Sequence, residues 1–195
     1  LGLRNPFGLK TVEDEVFVAD NGPTVDRFVR VTMGSNQLWS QSNNLGIGSN
    51  ADLVIAPGEG VAQLDYYPPG SNVFPTNFRD SFYLTVSGSS DQQLPNVPSV
   101  MVVPYDLQTK QIADVPERFI VYQGSRVQVI AALAFGTDAL YFAPLFPNLA
   151  GETNILRVTH NPEAQYPNLI SEVLDPLRLM DSKGCFACHS LGGRT

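Results

Sequence analysis

Turn residues divide most of this chain into short runs that have the composition of β-strands. Glycine, proline and asparagine separate the runs, and helical periodicity is almost absent before residue 169. Many short strands with this punctuation predict a mainly β fold, which is a sandwich, a barrel or a propeller. The predicted strands are Glu15–Ala19, Arg27–Val31, Ser81–Val86, Val100–Tyr105, Arg118–Tyr122, Gln128–Phe135, Ala139–Ala143 and Asn154–Val158.

A pattern that recurs among these runs favours the propeller. A turn with glycine or acidic residues precedes a strand that ends in a small residue, and a strand with alternating arginine and valine follows. Glu13–Gly22 with Asp26–Val31 forms one such unit, and Phe135–Ala143 with Asn154–Val158 forms another. At roughly 40–50 residues per blade, residues 1–168 would hold about three or four blades of a larger ring.

Residues 169–195 have a different character. Asp175 followed by Pro176 is typical of a helix N-cap and first helical position, so a short helix is predicted from Leu177 to Ser182. Gly184 then ends that helix. We expect residues 169–195 to form a short helical segment separate from the β domain.

The sequence Cys185-Phe186-Ala187-Cys188-His189 follows directly. Cys-x-x-Cys-His is the attachment motif of a covalent c-type haem. The spacing puts both thiols on one face of a helical turn, where each can add to a haem vinyl group. The imidazole of His189 would then be the proximal ligand of the haem iron.

Two other uses of the cysteines fit the sequence less well. A structural zinc site needs further Cys or His ligands, and the chain has two cysteines and two histidines in all, so His160 is the remaining candidate. A thioredoxin-type dithiol would sit at the start of a helix after a strand of a βαβ unit, which this context lacks. Haem attachment is therefore the favoured interpretation.

The sixth ligand of the iron is left open by the sequence. Met180 is close before Cys185, where a helix would hold its sulfur on the wrong side of the iron. His160 begins a polar turn after a predicted strand. Six residues follow His189, too few to cover a haem. We therefore expect the natural chain to continue beyond Thr195, and the alternative is that another subunit covers the exposed face.

Charge and composition limit the partners. A net charge of −7 argues against nucleic acid and anionic membrane surfaces. It suits a basic redox partner protein, and it is equally explained by the ordinary requirement for solubility. No apolar run has the length of a membrane span, and no signal peptide opens the chain. Because covalent haem attachment takes place outside the bacterial cytoplasm, we expect a periplasmic or extracellular location.

Two family resemblances follow from these residues. The stretch from Asp175 to Thr195 resembles the beginning of a class I cytochrome c domain. Most of residues 1–160 is similar to the quinoprotein glucose and sorbosone dehydrogenases, which are six-bladed propellers that bind pyrroloquinoline quinone (PQQ). The stretches that carry the second resemblance are Leu3–Leu9, Val16–Pro23, Ala56–Gly58 and Tyr67–Pro75.

The second resemblance implies roles for four residues. Arg4 and Asn5 would contact the quinone, and the backbone carbonyls of Gly22 and Pro23 would bind calcium. The chain departs from the family at Phe7, where active relatives often have a polar contact. After Gly22-Pro23, Asp26 alone fits the expected acidic stretch, and Arg126 is a loose candidate for a later cofactor contact.

Two functions are therefore expected. The first is an electron-transfer protein or subunit, in which a β-propeller scaffold carries a c-type haem and docks to a redox complex. The alternative is a PQQ-dependent sugar or alcohol dehydrogenase that passes electrons to its own haem. Both require the haem, and they differ in whether the propeller binds quinone and calcium.

Overall fold

The computed structural model describes residues 2–23, 25–39, 51–55, 58–88, 97–112, 115–122, 129–146 and 151–163. The chain divides into two compact units, Leu1–His160 and Asn161–Thr195. The predicted helical segment, including Leu177–Ser182, lies outside the described residues, as does the predicted boundary at 168/169.

The first unit is mainly β, as the sequence predicts. Its strands form three antiparallel sheets, and none of these sheets closes on itself. Helix in the described residues is limited to one 3₁₀ turn at Thr76–Phe78.

The sheets follow one another along the chain. Sheet one contains, in order, β1 (Pro6–Val12), β2 (Glu15–Asp20), β3 (Asp26–Val31) and β4 (Leu53–Ile55). Sheet two contains β5 (Val61–Tyr67), β6 (Ser81–Val86), β7 (Ser99–Asp106), β8 (Gln111–Ile112) and β9 (Glu117–Val121), with both β8 and β9 paired to β7. Sheet three contains β10 (Ile130–Phe135), β11 (Leu140–Pro144) and β12 (Leu156–Val158).

Each of the eight predicted runs coincides with all or part of a strand. The sequence missed β1, β4, β5 and β8. β4 and β8 have three and two residues, too few to show alternation. β1 begins at Pro6, and its pairing with β2 shifts register between Pro6 and Gly8, which breaks the period of two that marks a strand.

Sheet two lies between the other two sheets, and its strand β6 packs against both of them. All six residues of β6 are buried. Because side chains alternate across a strand, Phe82 and Leu84 join an apolar cluster with sheet one, while Tyr83 joins a cluster with sheet three. Phe82 packs with Phe17 at a centroid distance of 4.5 Å, and Tyr83 packs with Phe135 at 4.8 Å.

The first strands of the sheets contact one another in sequence, with β1 on β5 and β5 on β10. Gly8 makes the first of these approaches possible. A Cβ atom there would lie 2.7 Å from the Ala62 carbonyl oxygen and 2.9 Å from the Leu64 nitrogen. Both are backbone atoms and cannot rotate aside.

We therefore expect Gly8→Ala to lower the free energy of unfolding by about 1–3 kcal/mol, because the added methyl group must push β1 away from β5. Gly70→Ala is the matched control, since a Cβ at Gly70 meets nothing within 4 Å. Urea unfolding measures both. Equal stability of the two variants would contradict the close approach of β1 and β5.

A polar contact also joins sheets one and two. The Tyr105 hydroxyl donates to Glu15 Oε2 at 2.5 Å, and Arg30 Nη1 donates to Glu15 Oε1 at 2.9 Å. Burial acts to raise the pKa of Glu15, but the Tyr105 hydroxyl and the Arg30 guanidinium outweigh it and the pKa is lowered. Burial and the hydrogen bond to Glu15 raise the pKa of Tyr105 to about 12.

The raised pKa of Tyr105 predicts an alkaline loss of stability. An unfolded tyrosine ionises near pH 10, so the folded protein holds the phenol proton more tightly than the unfolded chain. The resulting stabilisation is present below about pH 10 and is lost as the pH rises toward about 12. We expect Tyr105→Phe to be less stable than the parent at pH 7 and to lose less stability over that range. Urea unfolding at a series of pH values measures this, and parallel pH profiles would contradict it.

Candidate functional site at one end of sheet one

The four residues implied by the quinoprotein resemblance lie together at one end of sheet one. Arg4 and Asn5 precede β1, and Gly22 and Pro23 lie in the turn from β2 to β3. The two segments are joined by a backbone hydrogen bond from Asn21 N to the Asn5 carbonyl oxygen, at 3.1 Å. The structure thus brings together residues that are seventeen or more positions apart.

Arg4 is the exposed cation of this group. Its Nη1 donates to the backbone carbonyl of Asn21 at 3.1 Å and to Asn21 Oδ1 at 3.2 Å. The guanidinium carbon lies 5.7 Å from the ring centroid of Trp39, within the range of a cation–π contact. Arg4 and Trp39 together present a charged, planar surface that suits an anionic aromatic ligand.

A buried ion pair positions Arg4 and Asn5. The side chains of Arg27 and Asp20 are 1% and 2% exposed and lie 2.5 Å apart, between Arg27 Nη2 and Asp20 Oδ2. Asp20 Oδ1 accepts the backbone N–H groups of Arg4 at 2.9 Å and of Asn5 at 2.8 Å. Arg27 also donates to the backbone carbonyl of Gln37 and, at 3.1 Å, to that of Gly2.

Sequence reasoning missed the roles of Asp20 and Arg27. The sequence pattern places Asp20 in a turn and makes Arg27 one member of an alternating strand. A usable signal was present, because an acid at the end of β2 and a base near the start of β3 face each other across the hairpin. Such a cross-strand pair is a recognised stabilising unit.

Asp26, the residue that fitted the expected acidic stretch, connects sheets one and two. Its Oδ1 accepts Gly22 N at 3.0 Å, and its Oδ2 accepts the N–H groups of Glu59 at 2.5 Å and Gly60 at 2.7 Å, just before β5. Burial raises the pKa of Asp26, while these N–H donors oppose that shift. Backbone donors thus occupy both carboxylate oxygens.

This arrangement bears on the expected calcium site. Calcium takes six to eight oxygen ligands, and the carbonyls of Gly22 and Pro23 would supply two of them. Asp26 Oδ1, which accepts one hydrogen bond, from Gly22 N, would be the carboxylate oxygen able to contribute another. Within the described ranges, no group of three or more His, Cys, Asp or Glu side chains is placed to hold a metal ion.

The other predicted residues are divided between the described and the undescribed parts of the chain. The haem motif residues Cys185, Cys188 and His189 lie outside the described residues, as do Met180 and Arg126. His160 is described, is partly buried and lies just beyond β12. Phe7 lies on β1 with 55% of its surface exposed, next to the candidate site.

Comparison with protein-family models and with curated proteins finds no match to this chain. In the part of the chain that the structure describes, no helix has the length and apolar character needed to cross a membrane.

Proposed function

We propose that this protein is an electron-transfer protein that carries a covalent c-type haem. Cys185 and Cys188 would bind the haem through thioether bonds, and His189 would bind its iron. The Cys-x-x-Cys-His motif carries the proposal, because it uses both cysteines of the chain and leaves too few ligands for a structural zinc site. When bound, the haem iron supplies one-electron chemistry, with a potential tuned by its ligands and surroundings.

The scaffold in this proposal is part of a β-propeller. Three features support it: the antiparallel sheets follow one another along the chain, sheet two packs against both neighbours, and the first strands β1, β5 and β10 contact in order. Successive blades of a propeller would produce these contacts. A basic redox partner and a periplasmic or extracellular location remain part of the proposal, on the charge of −7 and on the haem motif.

The axial ligand is tested by replacing each histidine of the chain in turn. We expect His189→Ala to change the visible spectrum of the haem protein, because the proximal imidazole is lost. His160→Ala is compared with it, because the chain has two histidines and His160 was left open as the sixth ligand. A spectrum that is unchanged by His189→Ala would overturn the assignment of His189 as the proximal ligand.

The second candidate is a PQQ-dependent dehydrogenase that passes electrons to the haem. The observation that favours it is the meeting of Arg4, Asn5 and Gly22 at one end of sheet one, with the Arg4 guanidinium exposed beside Trp39. An exposed guanidinium pairs well with the carboxylates of such a cofactor.

Trp39 supplies the test, because it is the single tryptophan of the chain. We would titrate the haem-bearing protein with PQQ, with and without calcium, and follow tryptophan fluorescence. Binding at this site predicts saturable quenching. Arg4→Gln should raise the dissociation constant for PQQ at least about tenfold, which is the loss of affinity expected for one charge-assisted pair. The exposed residue Arg157 gives the control variant Arg157→Gln. Quenching that is equal in both variants would exclude quinone binding at Arg4.

A further inference from the structure

Asn21 and Gly22 form an Asn-Gly dipeptide in the turn between β2 and β3. In such a dipeptide the glycine nitrogen can attack the side-chain carbonyl carbon of asparagine, because glycine has no Cβ to hinder the approach. The fold also demands glycine here, since a Cβ at Gly22 would lie 1.8 Å from the Val25 carbonyl oxygen. A chemically labile dipeptide is therefore built into this turn.

The attacking nitrogen is restrained by Asp26. Gly22 N–H donates to Asp26 Oδ1 at 3.0 Å. Asp26 is itself fixed, because its other oxygen accepts the N–H groups of Glu59 and Gly60. Attack requires the nitrogen to lose its proton and turn toward the asparagine side chain. A hydrogen bond to a buried carboxylate opposes both changes.

The side-chain amide of Asn21, which the Gly22 nitrogen would attack, is also held by hydrogen bonds. Asn21 Oδ1 accepts Arg4 Nη1 at 3.2 Å, and Asn21 Nδ2 lies 3.5 Å from the Val61 carbonyl oxygen. The backbone nitrogen of Asn21 donates to the Asn5 carbonyl. The side-chain amide therefore has partners on β5 and before β1, and attack by Gly22 would have to separate it from them.

We propose that Asn21 is a deamidation site that the folded turn keeps unreactive, chiefly through the hydrogen bond from Gly22 to Asp26. In the reaction, the Gly22 nitrogen forms a bond to Asn21 Cγ and the Cγ–Nδ2 bond breaks. The amide nitrogen leaves as ammonia with the proton from Gly22. Water then opens the cyclic imide to aspartate or isoaspartate, and no oxidant or reductant is needed.

The product would change the end of sheet one. A carboxylate at position 21 would lie next to the Arg4 guanidinium. It would compete with any anionic ligand for Arg4. Isoaspartate would also lengthen the backbone by one carbon and displace Gly22 from Asp26. This inference does not depend on the haem or on the proposed function.

The test follows the tryptic peptide of residues 11–27, which contains Asn21 as its single asparagine. Native protein and urea-unfolded protein are incubated at the same pH, and the conversion of amide to acid is followed by mass spectrometry. We expect the native protein to react at least about tenfold more slowly, because reaction must wait for local opening of the turn. Equal rates, or no reaction in the unfolded chain, would overturn the proposal.

Two variants then separate the contributions of the partners. Asp26→Ala should speed the reaction of the native protein most, because it frees the Gly22 nitrogen. Arg4→Gln, at an exposed position, should speed it less, because it releases only the side-chain amide. If neither variant reacts faster than the native parent, these hydrogen bonds do not protect the turn, and the assignment to Asp26 is wrong.

Discussion

Arg27→Met should lower the free energy of unfolding by about 3–5 kcal/mol, because it leaves the buried carboxylate of Asp20 without its partner. Both side chains are nearly inaccessible to solvent. Methionine retains much of the length of the side chain, so the loss should come from the charge and the hydrogen bonds more than from a cavity. Urea unfolding at pH 7 measures the change.

A double variant distinguishes the effect of an unpaired buried carboxylate from the effect of disrupted packing. When Asp20→Asn is combined with Arg27→Met, no buried charge is left unpaired, and the substituted amide keeps an oxygen that can accept the N–H groups of Arg4 and Asn5. We therefore expect the double variant to be more stable than Arg27→Met alone. Arg157→Met, at an exposed ion pair, should change stability little. A small effect of Arg27→Met would show that the pair is accessible to water.

The largest effect on function is expected for the cysteines. Replacing both Cys185 and Cys188 by serine should abolish covalent haem attachment, because thioether bonds require the thiols and the chain has no other cysteine. Denaturing gel electrophoresis followed by haem staining measures it. Met180→Leu is the control, because Met180 precedes the motif and supplies no thiol.

A haem band that persists in the double serine variant would contradict attachment at this motif. A haem that is absent from the parent protein as well would remove the basis of the proposed function. In that case the two cysteines would be left as a dithiol pair.

The sequence predicted the β class and most of the strands because alternation and turn residues are local signals. β6 is the clearest example, since its observed bounds, Ser81–Val86, are those predicted. β1 was missed because Pro6 and Gly8 are unfavourable in strand interiors. Gly8 is nevertheless needed there, since the backbone of β5 passes too close for a side chain. That reason lies in a contact between two sheets, which no local pattern contains.

The resemblance indicated which residues lie together at one end of sheet one, and their role as a site stays a prediction. The resemblance singled out Arg4, Asn5 and Gly22, and the structure places them together. The residues that hold them were not predicted, because Asp20 and Asp26 act on backbone N–H groups from distant segments. Asp26, for example, reaches Glu59 and Gly60, more than thirty residues away. An aspartate beside a turn has many ordinary uses, and its partners depend on the tertiary fold.

Asp26 and Asp65 join neighbouring sheets in the same way, because each carboxylate accepts backbone N–H groups of the next sheet. Asp26 belongs to sheet one and accepts N–H groups at the start of sheet two. Asp65 belongs to sheet two and accepts the Phe135 N–H of sheet three at 2.6 Å, while Lys10 of sheet one lies 2.5 Å from its other oxygen. Hydrogen bonds to a charged acceptor are stronger than neutral ones. These two carboxylates therefore add directional contacts to the apolar clusters between the sheets.

The most direct test of the proposed function is the intact mass of the purified, denatured chain, measured together with its reduced-minus-oxidised visible spectrum. The proposal predicts a mass increased by one haem and a c-type absorption band that survives denaturation, because thioether bonds do not depend on the fold. A chain with the mass of the polypeptide alone and no haem band would contradict it.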